Sequence, residues 1–194
     1  MKKNKKGFTL VELLASLVIL GLLTLVAAPN IIGILSSTKT ETYVTDATKL
    51  ATLAEYKFRS DNNITRPTTL NKCIGISMET LGTSEFKKPP YGGTYDPKKS
   101  FALVCYENVT DEAGVTTSAY VYYAQIIEKV KDNGGTEKDS GIQLRPVKKI
   151  KQDQVNGNIS GLVEAGSTTI QGYDNDGNSK TFTTGVSADI IQWY

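Results

Sequence analysis

Residues 8–35 read FTLVELLASLVILGLLTLVAAPNIIGIL, one apolar run with a single carboxylate, Glu12, inside it. Roughly 20 helical residues at about 1.5 Å each cross the hydrocarbon of a bilayer, so the run predicts a transmembrane or assembly helix over 8–37. From Thr38 the polarity changes but the helical period persists. Val44, Ala47, Ala51, Ala54 and Phe58 recur at spacings of three and four, with Lys49, Glu55, Lys57 and Arg59 elsewhere on the cylinder. Residues 38–60 are therefore expected to continue the helix as an amphipathic half with one buried stripe, ending near Ser60-Asp61-Asn62-Asn63.

Residues 61–100 read as a connecting region, because Lys87-Lys88-Pro89-Pro90-Tyr91-Gly92-Gly93-Thr94-Tyr95-Asp96-Pro97 is dense in turn formers. Residues 101–194 then carry strand signals. FALVCY (101–106) and SAYVYYAQII (118–127) are rich in β-branched and aromatic side chains, joined by a hairpin centred on Asp111-Glu112-Ala113-Gly114. After a polar Gly/Asp/Lys stretch at 131–141, shorter candidates follow at 142–147, 168–173, 180–184 and 187–193. The expected class is α+β: a long N-terminal helix whose amphipathic half packs on an antiparallel β-sheet head.

Charge sharpens this picture at the N-terminus. The net charge is +2, from 22 Lys and Arg against 20 Asp and Glu, but Lys2, Lys3, Lys5 and Lys6 all precede Gly7. A basic leader before an apolar run predicts a single pass through the cytoplasmic membrane with a cytoplasmic N-terminus. A plain anchor, or a secretory signal cut after Val26-Ala27-Ala28, leaves Glu12 unexplained, and Pro29 disfavours that cut. A carboxylate inside an apolar span costs about 2.5–3.5 kcal/mol at mid-bilayer and is functional by default; the plainer reading is that Glu12 snorkels to the interface.

Lys6-Gly7-Phe8-Thr9-Leu10-Val11-Glu12-Leu13-Leu14, after the leader peptide 1–7, resembles the class III signal of the type IV pilin and pseudopilin family. The resemblance implies cleavage between Gly7 and Phe8 by a prepilin peptidase, N-methylation of Phe8, and a type IV pilin-like fold. Such a cut removes all four leader lysines and keeps the apolar helix. Glu12, about one turn from the new amine, is then expected to neutralise the Phe8 amine of a neighbouring subunit, turning an isolated charge into a pair. Gly21 and Pro29 bracket a weaker stretch where a kink or local unwinding near 25–29 is expected. Gly21 and Gly33 also read as small packing residues of a membrane helix.

Other candidate chemistry is sparse. The chain has no histidine, which excludes Ser-His-Asp and Cys-His catalysis and two-histidine zinc sites, so no enzymatic activity and no cofactor are expected. Cys73 and Cys105 are too few for a Cys-rich zinc site; they read as a disulfide or as two buried thiols. Asp174 and Asp176 in YDNDGNS form a weak calcium candidate, though Asp-Gly between strands is first of all a hairpin turn. No basic stripe with interleaved aromatics points to nucleic acid.

The leading expectation is a structural subunit, inserted, trimmed, methylated and polymerised into a helical filament outside the cell. Its expected partners are identical or related subunits, the prepilin peptidase, the inner-membrane assembly platform, and membrane lipid before assembly. Such a filament would serve adhesion, twitching motility, DNA uptake or protein secretion, and these residues leave all four open. Alternatives are a pseudopilin or minor subunit of a type II secretion or competence system, and a single-pass surface binding protein that never polymerises.

Overall fold

The computed structural model describes residues 8–86, 88–183 and 192–194, the side chains of 25–33, 183 and 192 excepted. The helix α1 runs Leu10–Ser60, and the chain divides into two units between Thr38 and Lys39. The α1 C-terminus is held by charge: Arg59 pairs with Glu55 at 2.8 Å, Lys57 with Asp61 at 3.4 Å, and Arg66 Nη2 donates to the Arg59 carbonyl at 3.0 Å. Cations at this end suit the unsatisfied carbonyls of the last turn.

In the unit of residues 39–194, the elements after α1 are β1 (Lys72–Ser77), α2 (Met78–Leu81), β2 (Thr94–Tyr95), β3 (Phe101–Thr110), β4 (Thr116–Lys131), β5 (Glu137–Pro146), β6 (Thr169–Tyr173), β7 (Ser179–Thr183) and β8 (Gln192–Trp193). The main sheet has the order β2-β4-β3-β1-β8, with β5 on the remaining edge of β4. Its pairings are antiparallel except for β8, which lies parallel to β1. The fold is α+β, with the amphipathic half of α1 packed on an antiparallel sheet.

Alternation along the strands sorts the core into two layers. Ile74, Ile76, Ala102, Val104, Ala124, Ile126 and Ile142 meet Tyr43, Ala47, Leu50, Ala54 and Phe58 of α1. Alanines on the helix stripe let its backbone lie close to the sheet, and Tyr43 and Leu50, which the three-and-four spacing did not select, are fully buried there. On the opposite face Phe101, Leu103, Tyr123 and Leu144 are covered by Ile170 and Phe182 of the β6–β7 hairpin. Burial on both faces explains why β3 begins as an unbroken apolar run instead of an alternating one.

Three segments differ from the sequence reading. The region 61–100 contributes β1, the partner of β3, and β2, so it belongs to the sheet as well as connecting to it. The strands near 170 and 181 form their own two-stranded sheet over the second face of the main one. The polar stretch 131–141 is a turn only over 132–136, because β5 pairs with β4 from Glu137 onward. Of the candidate strand 187–193, residues 187–191 lie outside the described residues.

One turn recurs three times. Asp111, Asp132 and Asp174 each open a hairpin, and in each the Oδ1 accepts the amides two and four residues on, at 2.9–3.0 Å. A glycine three residues after the aspartate takes positive φ: Gly114 and Gly135 at 80°, Gly177 at 85°. The aspartate satisfies turn amides that no strand can reach, and glycine supplies the left-handed backbone without a Cβ clash.

Candidate functional site

The N-terminal motif is built around a capping box. Thr9 immediately precedes the first helical residue, and its Oγ1 accepts the Glu12 amide at 3.3 Å. Glu12 Oε2 reaches back to accept the Thr9 amide at 2.8 Å and the Thr9 hydroxyl at 2.9 Å. Thr-x-x-Glu is the sequence signature of this reciprocal cap, so the signal was legible in FTLVE although the charge of Glu12 drew attention elsewhere. Glu12 thus closes its own helix end, with a negative group at the positive pole of the helix. Both bonds converge on one oxygen, and among the described residues none is made to Oε1.

Beyond the cap, residues 10–23 present apolar side chains all round: Leu10, Leu13, Leu17, Leu20 and Leu23 are each more than half exposed, and Phe8 is 83 % exposed. The hydroxyls in this stretch are turned inward. Ser16 Oγ donates to the Glu12 carbonyl at 2.7 Å, and Thr24 Oγ1 donates to the Leu20 carbonyl at 2.7 Å. Side chains that return their donors to the helix backbone leave no polar group seeking water. Gly21 lies within α1 and has open space where a Cβ would be. α1 is continuous through Pro29, whose side chain lies outside the described residues, as does Gly7 altogether. Among the described residues, no helix is long and apolar enough to cross a membrane.

In the second unit the polar groups serve cohesion. Glu128, fully buried on β4, accepts the Tyr43 hydroxyl of α1 at 2.5 Å, the Gly93 amide at 2.7 Å and the Tyr91 amide at 3.3 Å. One side chain therefore ties helix, sheet and the Pro/Gly-rich loop together. Gly93 is required there because a Cβ would collide with the Lys129 carbonyl oxygen. Tyr95 donates to Asp46 of α1 at 2.5 Å, and Tyr123 to Glu107 at 2.6 Å, while Lys180 of β7 pairs with the same Glu107. Burial, reinforced by the neighbouring carboxylates, pushes the phenols of Tyr43, Tyr95 and Tyr123 well above their usual range.

Cys73 and Cys105 face each other across β1 and β3 and are bonded, with a Cα–Cα distance of 4.0 Å. Asp174 is occupied by its own turn, and those turn amides hold its carboxyl below the usual range. Among the described residues, no group of three or more His, Cys, Asp or Glu side chains is placed to hold a metal ion. Sequence reasoning missed Glu128 because a glutamate in a strand reads as a solvent-facing position.

The family described as the prokaryotic N-terminal methylation motif matches residues 2–28, which include the leader, the capping box and most of the apolar run. No curated protein matches the chain, and no solved structure does. The class III signal implies processing by a prepilin peptidase and a membrane-anchored or secreted pilin-like protein, of a kind that is typically structural and non-enzymatic. The chain carries the N-terminal methylation motif of the type IV pilin and pseudopilin family ahead of an α+β head.

Proposed function

We propose that this protein is a structural subunit of a helical surface filament. It is cut between Gly7 and Phe8, methylated on the Phe8 amine, held in the cytoplasmic membrane by residues 8–37, and polymerised through that same segment. The carrying observation is the apolar surface of residues 10–23, exposed all round with its one carboxylate folded onto its own cap. Such a surface is stable only under lipid or among copies of itself. The capped Glu12 supports passage between the two, since the cap satisfies one oxygen and leaves the other for a neighbour's amine. A head-to-tail contact that does not close generates an open filament. Melting near Gly21 and Pro29 within the filament belongs to the same proposal.

The N-terminal mass of the native protein, taken separately from membranes and from sheared surface material, tests this reading. A chain beginning at methylated Phe8 in the sheared fraction is expected. Trimmed protein confined to membranes would favour a pseudopilin or minor subunit, and lysines retained on membrane-bound protein would favour a non-polymerising surface binding protein.

A further inference from the structure

β5 pairs with β4 only from Tyr123 to Lys131, and β3 occupies the other side of β4. Along residues 116–122 the β5 side of β4 is therefore an open edge among the described residues. Free edges are normally blunted by charge, proline or a bulge. This one reads Thr-Thr-Ser-Ala-Tyr-Val-Tyr, without charge or proline and rich in strand formers.

Ala119, Tyr120, Val121 and Tyr122 of this edge line a slot of about 230 Å³. Tyr122, which packs with the helix-side core, and Val121, which packs with the opposite one, both line it. A cavity lined from both faces of a sheet passes around an edge. Thr48 and Glu55 of α1 form one wall, Asn175 of the β6–β7 turn the other, and Lys148 stands at the end where β5 departs. The Tyr122 hydroxyl is buried there beside the Glu55–Arg59 pair without a hydrogen bond of normal geometry.

We infer that this slot takes one extended peptide strand from a partner protein, added antiparallel to β4 in the lane that β5 vacates at Pro146. Unpaired strand amides and carbonyls recognise another extended backbone, and the ladder is continuous with the β4–β5 pairing already present. Glu55 is already paired with Arg59, so exposed Lys148 gives the mouth a cationic end that selects an acidic residue on the strand.

Amide hydrogen exchange of the full chain in detergent tests the inference, with an acetylated peptide of alternating threonine and valine ending in two glutamates as probe. With about 1 mM peptide, outward-facing amides in 116–122 should exchange at least about tenfold more slowly. Thr48→Trp, an exposed helix position that narrows the slot, should abolish that protection, and Lys148→Glu should weaken it. A peptide with proline at alternate positions, lacking the amides, should give none. Absence of protection, protection by the proline peptide, or protection unchanged in Thr48→Trp overturns the inference. Protection that grows with protein concentration alone overturns it in favour of a second copy of this chain.

Discussion

Replacing Tyr43 by phenylalanine isolates the tie between α1 and the sheet. The substitution keeps the ring and so opens no cavity, but deletes a hydroxyl that donates to Glu128 at 2.5 Å and lies 3.2 Å from Ser140 Oγ. Glu128 keeps the Gly93 and Tyr91 amides, so it loses one donor of three. A buried hydrogen bond to a carboxyl group with three donors around it contributes about 1.5–3 kcal/mol. We expect a loss of about 2 kcal/mol in urea denaturation of the full chain in detergent, with an unchanged m-value. For a unit of this size that is a fall in Tm of about 4–8 °C. Tyr95→Phe, whose partner Asp46 is only half-buried, should cost less, about 0.5–1.5 kcal/mol. A loss below about 0.5 kcal/mol for Tyr43→Phe, or the reverse order of the two variants, would refute the assignment of Glu128 as the tie.

Gly93→Ala drives a methyl into the Lys129 carbonyl and pulls the Gly93 amide off Glu128, so a loss of about 1–3 kcal/mol is expected by the same denaturation. Replacing Cys73 and Cys105 together by alanine removes a cross-link over 32 residues, worth about 3–4 kcal/mol on the chain-entropy model; an unchanged Tm would show the two thiols unpaired in the cell-derived protein. Stability should fall on both sides of neutrality. Burial works to raise the Asp96 carboxyl, but Lys129 and two backbone amides outweigh it, and turn amides lower Asp132 and Asp174, so the unfolded chain takes up protons first and stability is lost as pH drops below about 4. The raised phenols of Tyr43, Tyr95 and Tyr123 act in the opposite sense: unfolded tyrosine ionises first, and stability is lost as pH rises above about 10. A Tm flat from pH 3 to pH 11 would contradict both.

What the sequence disclosed depended on whether a feature was local. The α1 span, the β3–β4 hairpin and the apolar run were legible because each writes its own period or turn residues into consecutive positions. Parallel β8 beside β1, and β6–β7 lying over the second face, depend on contacts between distant segments that no window contains. β1 was hidden for another reason: Lys72-Cys73-Ile74-Gly75-Ile76-Ser77 is short, and its Gly75 is there because the Trp193 ring occupies the place of a side chain. The Thr9–Glu12 box was present in the spacing and missed because a carboxylate in an apolar run was weighed for its charge and not for its geometry.

Glu12 and Glu128 show how one side chain type answers two opposite environments. Glu128 sits on a strand among donors brought from two distant segments, and its burial is tolerable only because helix, strand and loop all fold at once. All of these partners lie within the unit of residues 39–194. Glu12 draws its donors from a residue three positions away, so its cap is completed within one turn of its own helix. A residue that must change surroundings without unfolding needs local partners, whereas one that fixes a tertiary fold needs remote ones. The donors of Glu12 lie within the N-terminal unit, and those of Glu128 lie within the second unit, which has its own core and disulfide.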